Sequence, residues 1–352
     1  MKCRFVCLLA VFGLAGSATG LAAETEPAAL NITGRIHFNV NVSNFDRSRG
    51  FYRSLGFADS VGDFPETNTL ELSQAVGFSS PYRLYAELIY LGQLPDGPVD
   101  LTVPTGRFID LVEWREPLRL DPPYAKLNHL GMARFALTTN DLDAAVAHLQ
   151  GQGTRFLSAP ARRADQSRFA IARDPDGTFV ELVEQPGAGD AFGPAQITGV
   201  KHVNINVSNF EQSRAFYRML GFKSAETLAS TDSPAVARAM GFDEPYTIRG
   251  EILVHEADGS AIELVEWKQP HNAEAPYGLP INHLGLHRMN WATSDIEADV
   301  AILKARGVKF LSEIAPCCTG ETSTFGIVVF TDPDGVYNQL MGNLKPPPPA
   351  TD

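Results

Sequence analysis

The residues from Arg35 to Phe57, RIHFNVNVSNFDRSRGFYRSLGF, return from Lys201 to Phe222 as KHVNINVSNFEQSRAFYRMLGF, so the chain must fold as repeats of one unit. In the first copy Phe38, Val40 and Val42 alternate with His37, Asn39 and Asn41, which is the period-2 pattern of a half-buried strand. His202, Asn204 and Asn206 copy the polar side. A strand face that carries His and two Asn, rather than Lys, Glu and Thr, is suited to lining a polar cavity. That cavity is the expected site.

A chain of 352 residues, 44% hydrophobic and 20% charged, is long enough for two domains with well-formed cores. Its formal net charge of -12, with no basic run longer than Arg162-Arg163, argues against nucleic acid or an anionic membrane as partner. A small-molecule substrate is expected instead, with the protein a monomer or homodimer. The N-terminus reads as a secretory signal: Lys2 and Arg4 are followed by an apolar run from Phe5 to Leu14 and small residues from Gly16 to Ala23. The run is shorter than the ~20 residues of a membrane span, so a periplasmic or secreted location is expected. Cys3 and Cys7 leave with that segment. Cys317 and Cys318 remain; adjacent cysteines can form only a strained ring rather than a disulfide framework, so they read as two loop thiols, with a redox or metal role as the alternative.

After a polar leader at 24–33, the pattern gives strand, helix and three strands: strands near 36–42, 57–61, 82–91 and 107–114, a helix opened by Ser43-Asn44 and stopped at Gly56, and a short helix near 70–76. The same order follows from Met132, with a helix at 141–150 and strands near 155–157, 167–171 and 178–183. The Gly/Pro/Ala stretch Gln185 to Pro194 reads as a linker, and both units then repeat. The expected division is therefore signal 1–23, leader 24–33, a first half 34–186 (modules about 34–117 and 126–186), linker 187–197, a second half 198–344 (modules about 198–269 and 281–344) and a Pro-rich tail 345–352. Leu111-Val112-Glu113-Trp114 matches Leu264-Val265-Glu266-Trp267, Asn128-His129-Leu130-Gly131 matches Asn282-His283-Leu284-Gly285, and Asp174-Pro175-Asp176-Gly177 matches Asp332-Pro333-Asp334-Gly335.

The strand-helix-three-strand order, the motif Ser-Arg-Gly/Ala-Phe-Tyr-Arg-x-Leu-Gly-Phe and the Asp-Pro-Asp-Gly turn together resemble the glyoxalase, bleomycin-resistance and extradiol-dioxygenase superfamily, the vicinal oxygen chelate fold. The resemblance covers nearly all of the chain after the signal. It implies an α+β fold of four βαβββ modules, paired so that their sheets curl into two cups, often with a divalent metal such as Fe, Mn, Ni or Zn. The family's first-strand ligand falls on His37 and His202, and its last-strand ligand on Asp110, Glu181, Glu263 and Gln339. Alternation independently sets Asp110 and Glu263 among apolar neighbours, where an unpaired carboxylate is costly.

The chain departs from the family in modules two and four, where Arg134 and Arg288 stand at the position of a second His or Gln. A guanidinium offers only donors and cannot ligate a metal. Two readings stay open. In one, His37, Asp110 and Glu181 hold a metal, with His202, Glu263 and Gln339 as a weaker equivalent, and the arginines clamp a substrate. In the other, the arginines pair with the carboxylates and the cup binds an organic ligand without metal. Modules one with four and two with three would instead group His37, Asp110, Arg288 and Gln339 against Arg134, Glu181, His202 and Glu263.

Asn39, Asn41, Asn204 and Asn206 are expected substrate contacts, and Glu181 and Glu263 the proton-transferring carboxylates. His129 and His283 read as loop residues that bond backbone, and His255, His271 and His287 as surface or rim. The resemblance implies a metal-assisted lyase or isomerase acting on a small oxygenated molecule; the alternatives are a sequestering protein without catalysis and an extradiol-type dioxygenase. Lactoylglutathione and acyl-CoA fit an exported protein less well.

Overall fold

The computed structural model describes residues 29–62, 64–66, 68–318 and 323–345. The expected signal and nearly all of the Pro-rich tail lie outside them. Module one contributes β1 (Ile32–Asn41), α1 (Phe45–Ser54), β2 (Asp59–Val61), α2 (Leu70–Ala75), β3 (Arg83–Tyr90) and β4 (Phe108–Glu116). Module two contributes β5 (Arg134–Thr139), α3 (Leu142–Gly151), β6 (Ala161–Arg162), β7 (Arg168–Arg173) and β8 (Phe179–Glu184). Module three repeats the first as β9 (Ile197–Asn206), α4 (Phe210–Met219), β10 (Phe222–Leu228), α5 (Pro234–Ala239), β11 (Thr247–His255) and β12 (Ala261–Gln269). Module four repeats the second as β13 (Gly285–Thr293), α6 (Ile296–Ala305), β14 (Ala315–Cys317), β15 (Phe325–Thr331) and β16 (Tyr337–Asn343).

Strand order settles how the modules pair. One eight-stranded sheet runs β14-β15-β16-β13-β1-β4-β3-β2, and the other β10-β11-β12-β9-β5-β8-β7-β6. Modules one and four thus build one curled sheet, the outer cup, and modules two and three build the inner cup. Each sheet closes through an antiparallel seam between first strands, β1 with β13 and β5 with β9. The two halves of the sequence are not two separate sheets.

Period-2 alternation sorts the strand faces as the pattern requires. Phe38 and Val40 point away from the cup into a core shared by both sheets, where Phe38 meets Phe135 at 5.0 Å between ring centroids. Helices α1, α3, α4 and α6 cover this core with their apolar stripes, Phe51, Tyr52 and Leu55 at α1 and Leu142, Ala145 and Leu149 on α3. Asn44 caps α1 by accepting from Arg47 N at 2.9 Å, and Gly56, at φ +96°, takes the left-handed turn just past the C-cap. The expected strand at 155–157 is reduced to a single bridge, Phe156 to Ala172, and pairing resumes at β6. β1 begins inside the expected leader, because Asn31 is fixed by Asp299 Oδ1 at 2.8 Å.

The Asp-Pro-Asp-Gly segments lock one module to the next. Asp174 Oδ1 accepts from the backbone N–H groups of Asp176, Gly177 and Thr178 at 2.8–2.9 Å, while its Oδ2 accepts from Tyr52 Oη at 3.1 Å. Tyr217 donates to Asp332 at 3.0 Å in the same way. The tyrosine of the Phe-Tyr-Arg motif therefore reaches from a module's first helix to the last turn of another module.

Candidate functional site

The pairing divides the expected ligand residues. His37 and Asp110, with Arg288 and Gln339, line the outer cup. Glu181, His202, Glu263 and Arg134 belong to the strands of the inner cup. The set His37, Asp110 and Glu181 does not assemble, since β8 lies in the other sheet. His202 and Glu263 do meet, Nε2 to Oε2 at 3.9 Å.

The inner cup is filled by its own charges. Glu181 is wholly buried, and its two oxygens accept from Arg134 Nε at 2.7 Å and from Arg163 Nη2 at 2.5 Å. Arg134 Nη2 also donates to Glu263, which accepts from Asn204 Nδ2 at 3.1 Å. Two carboxylates and two guanidinium groups cancel. Burial alone would raise the Glu181 carboxyl, but Arg163 and Arg134 outweigh it and hold it well below the usual range. Burial keeps His202 neutral, down to about 4. Arg163 was not singled out from the sequence; its only signal was the dipeptide Arg162-Arg163 ahead of a strand.

The outer cup remains open. A cavity of about 210 Å³ is walled by Leu72, Val76, Tyr82, Trp114, Ile327 and Met341, with His37, Asn39, Asp110, Arg288 and Gln339 at its polar end. A hydrogen-bond chain orders that end. Asp110 Oδ2 accepts from Asn39 Nδ2 at 2.5 Å, which turns Asn39 Oδ1 toward Asn290 Nδ2 at 2.6 Å. The other hydrogen of that amide reaches His37 Nδ1 at 3.2 Å. The carboxylate can only accept, so it fixes each amide in turn and makes His37 Nδ1 an acceptor, leaving the proton on Nε2. Burial, then Arg288, keeps His37 well below its usual pKa, so it is a neutral donor. Burial pushes Asp110 up to about 6, although Arg288 and Asn39 pull the other way.

Arg288 Nη1, Asp110 Oδ1 and Gln339 Oε1 are buried without a hydrogen-bond partner among the described residues. Such atoms are costly to leave unmatched. Asn290, another residue the sequence reading passed over, sits two positions beyond Arg288 on the same strand face, where module two has Ala136.

Several expected contacts are already committed to the fold. Asn41 Nδ2 donates to the carbonyls of Ile281 (2.8 Å) and His283 (2.6 Å), and its Oδ1 accepts from Trp114 Nε1 at 2.8 Å. Asn206 repeats this with Leu127, His129 and Trp267. These two asparagines pin the Asn-His-Leu-Gly loops and have no amide hydrogen left for a substrate. His129 and His283 bond backbone, Nδ1 to the carbonyls of Leu130 and Leu284 at 2.8 and 2.9 Å, as the loop reading expected. His271 is exposed, but His255 and His287 are buried rather than at the rim.

A scan against family models matches the Glyoxalase/Bleomycin resistance protein/Dioxygenase superfamily at residues 34–182 and 199–340. The chain belongs to this superfamily. Glyoxalase I from Zea mays superposes with a TM-score of 0.57 at 19% identity, covering 88% of this chain and 92% of that one. A putative dioxygenase from Bacillus subtilis subsp. subtilis str. 168 does so with a TM-score of 0.56 at 12% identity, covering 90% and 87%. Both likenesses concern the fold. The protein YaeR of Escherichia coli (strain K12) is 38% identical over 55 residues, which is 16% of this chain and 43% of that relative's length.

Superfamily members commonly use a divalent metal, so the donors must be tested against one. Among the described residues no group of three or more His, Cys, Asp or Glu is arranged to hold a metal ion. In the inner cup the Glu181 oxygens are taken by guanidinium groups. In the outer cup His37 presents N–H rather than a lone pair, and Arg288 already balances Asp110, the one carboxylate among the described lining residues. A divalent cation would leave a double charge unmatched in an apolar cavity. The donor sets do not fit.

Proposed function

We propose that the outer cup binds a small organic acid with an apolar body, such as an aryl 2-oxo acid, and exchanges a proton with it through Asp110. The observation that carries this is the cavity itself: apolar walls closing on buried Arg288 Nη1 and Asp110 Oδ1, neither of which has a partner among the described residues. Arg288 and the His37 Nε2–H are donors suited to the ligand's oxygens, and the aromatic wall of Trp114 and Tyr82 to its body. A carboxyl with a pKa of about 6 is poised to take a proton from carbon beside a carbonyl and return it, with the enolate charge held by Arg288. This reading replaces the metal-assisted lyase or isomerase with a metal-independent proton transfer, and moves the proton-transferring role from Glu181 and Glu263 to Asp110. We also propose that the N-terminal segment exports the chain; N-terminal sequencing of secreted protein should begin near Glu24.

The test is a calorimetric titration with phenylpyruvate, together with NMR detection of deuterium exchange at its methylene carbon in heavy water. Arg288→Met should weaken binding by about tenfold or more, which is ~1.4 kcal/mol or above. Asp110→Asn should bind but stop the exchange. Binding without exchange in the unaltered protein would make this a sequestering protein, and no effect of Arg288→Met would remove the cup as the binding site.

A further inference from the structure

The two cups are built from equivalent strands and differ at one corner. In the inner cup Ala161 pairs with Phe169, and Ile171, two residues on, pairs with Glu181. In the outer cup Ala315 pairs with Ile327, and Val329, two residues on, pairs with Gln339. Arg163 and Cys317, each two residues after the paired alanine, therefore hold the same place. Arg163 plugs the inner cup by its bond to Glu181. Cys317 cannot plug the outer cup. Where the sequence suggested two loop thiols, it is instead joined to Cys318 as a disulfide, and both residues line the cavity. Cys317 is 4% exposed and packs with Val112, Trp114, Ile327 and Met341, whereas Cys318 is partly exposed.

We propose that the Cys317–Cys318 disulfide is a thiol-exchange site in the cavity wall, and that its reduction by a small dithiol changes how the outer cup holds its ligand. This rests on the reading of that cup as the ligand site. A reductant thiolate attacks the more accessible Sγ of Cys318, the Cys317–Cys318 bond breaks, and Cys317 leaves as a thiolate that takes up a proton. The second thiol of the reductant then displaces Cys318 from the mixed disulfide. Two electrons and two protons pass to the protein, and the dithiol ends as its own disulfide. A compact apolar ring is thereby replaced by two separate side chains, each with its own rotamers and an S–H group. In a close-packed wall such a change is felt by whatever packs against it.

Full-length protein and its Cys317→Ser/Cys318→Ser variant would be compared before and after dithiothreitol under native conditions, with folding of the variant checked by circular dichroism and Cys318→Ala as a second variant. Dithiothreitol should release two more titratable thiols from the unaltered chain than from the double variant. It should also change the phenylpyruvate dissociation constant about tenfold in the unaltered chain alone. No extra thiols, or an unchanged constant, overturns the proposal. If phenylpyruvate binds neither redox form, the acid-binding reading fails on its own and Trp114 emission decides. A dithiothreitol-dependent change absent from the double variant and from Trp114→Phe supports the exchange site, and identical spectra overturn it.

Discussion

Asp110 carries one hydrogen bond on Oδ2 and none on Oδ1, and that imbalance sets how it responds to pH. Its folded pKa, raised by burial to about 6, lies above the ordinary carboxyl value. The folded state therefore holds the proton more tightly than the unfolded chain. The stabilisation this brings is complete below the unfolded value and is lost as pH rises through about 6. Asp174 at about 6 and Asp332 at about 7, both raised by burial, act in the same direction. Asp110→Asn should raise the thermal midpoint at pH 8 and leave it nearly unchanged at pH 4, as followed by circular dichroism. An anionic ligand feels the same charge: phenylpyruvate should bind more tightly below pH 6 than above it, and a flat profile would mean that Asp110 does not face the ligand. His37 matters through its tautomer. Asn290→Ala removes the donor that keeps the proton on Nε2, and ligand affinity should fall without loss of fold.

The elements of the inner cup are held by charge. β5, β8 and β12 bring Arg134, Glu181 and Glu263 together, and the residue just past β6 adds Arg163. Removing one member leaves its partners buried and unmatched, so Glu181→Ala should cost ~3–5 kcal/mol, read as a lowered unfolding midpoint, with no direct effect on the outer cavity. The alternation of β1 and β9, the caps of α1 and α4 and the turn before β8 were all legible from residue order, because they follow local rules of period and hydrogen bonding. The loss of a regular strand at 155–157 was not, since pairing there depends on a neighbour far along the chain. Glu181 against Gln339 already set the cups apart in the sequence, but the corner that fills one and leaves the other open was not legible. Arg163 and Cys317 occupy one place in two repeats whose sequences diverge around them, and only strand register aligns them.

At the scale of the whole molecule, the duplication does not produce two independent halves. The first half supplies β1 to β4 to the outer sheet and β5 to β8 to the inner one, and each sheet is completed by the second half. Sequence named the modules and left their partners undecided, because both pairings bury the same faces; the seams β1 with β13 and β5 with β9 settle it. A chain ending near residue 195 would retain His37, Asn39 and Asp110 but lack Arg288, Asn290 and Gln339, and it should not bind phenylpyruvate. Mixing separately prepared halves should restore binding only to the extent that they associate. The central claim is that the open cup takes an organic acid through Arg288, in a site that does not need metal. A calorimetric titration of chelator-treated protein with phenylpyruvate, run in parallel on Arg288→Met, tests it most directly. Saturable binding near one ligand per chain, lost or weakened about tenfold in the variant and unchanged on adding Mn, Fe, Ni or Zn, is the predicted result. Binding that appears only with added metal, or that survives Arg288→Met intact, would contradict it.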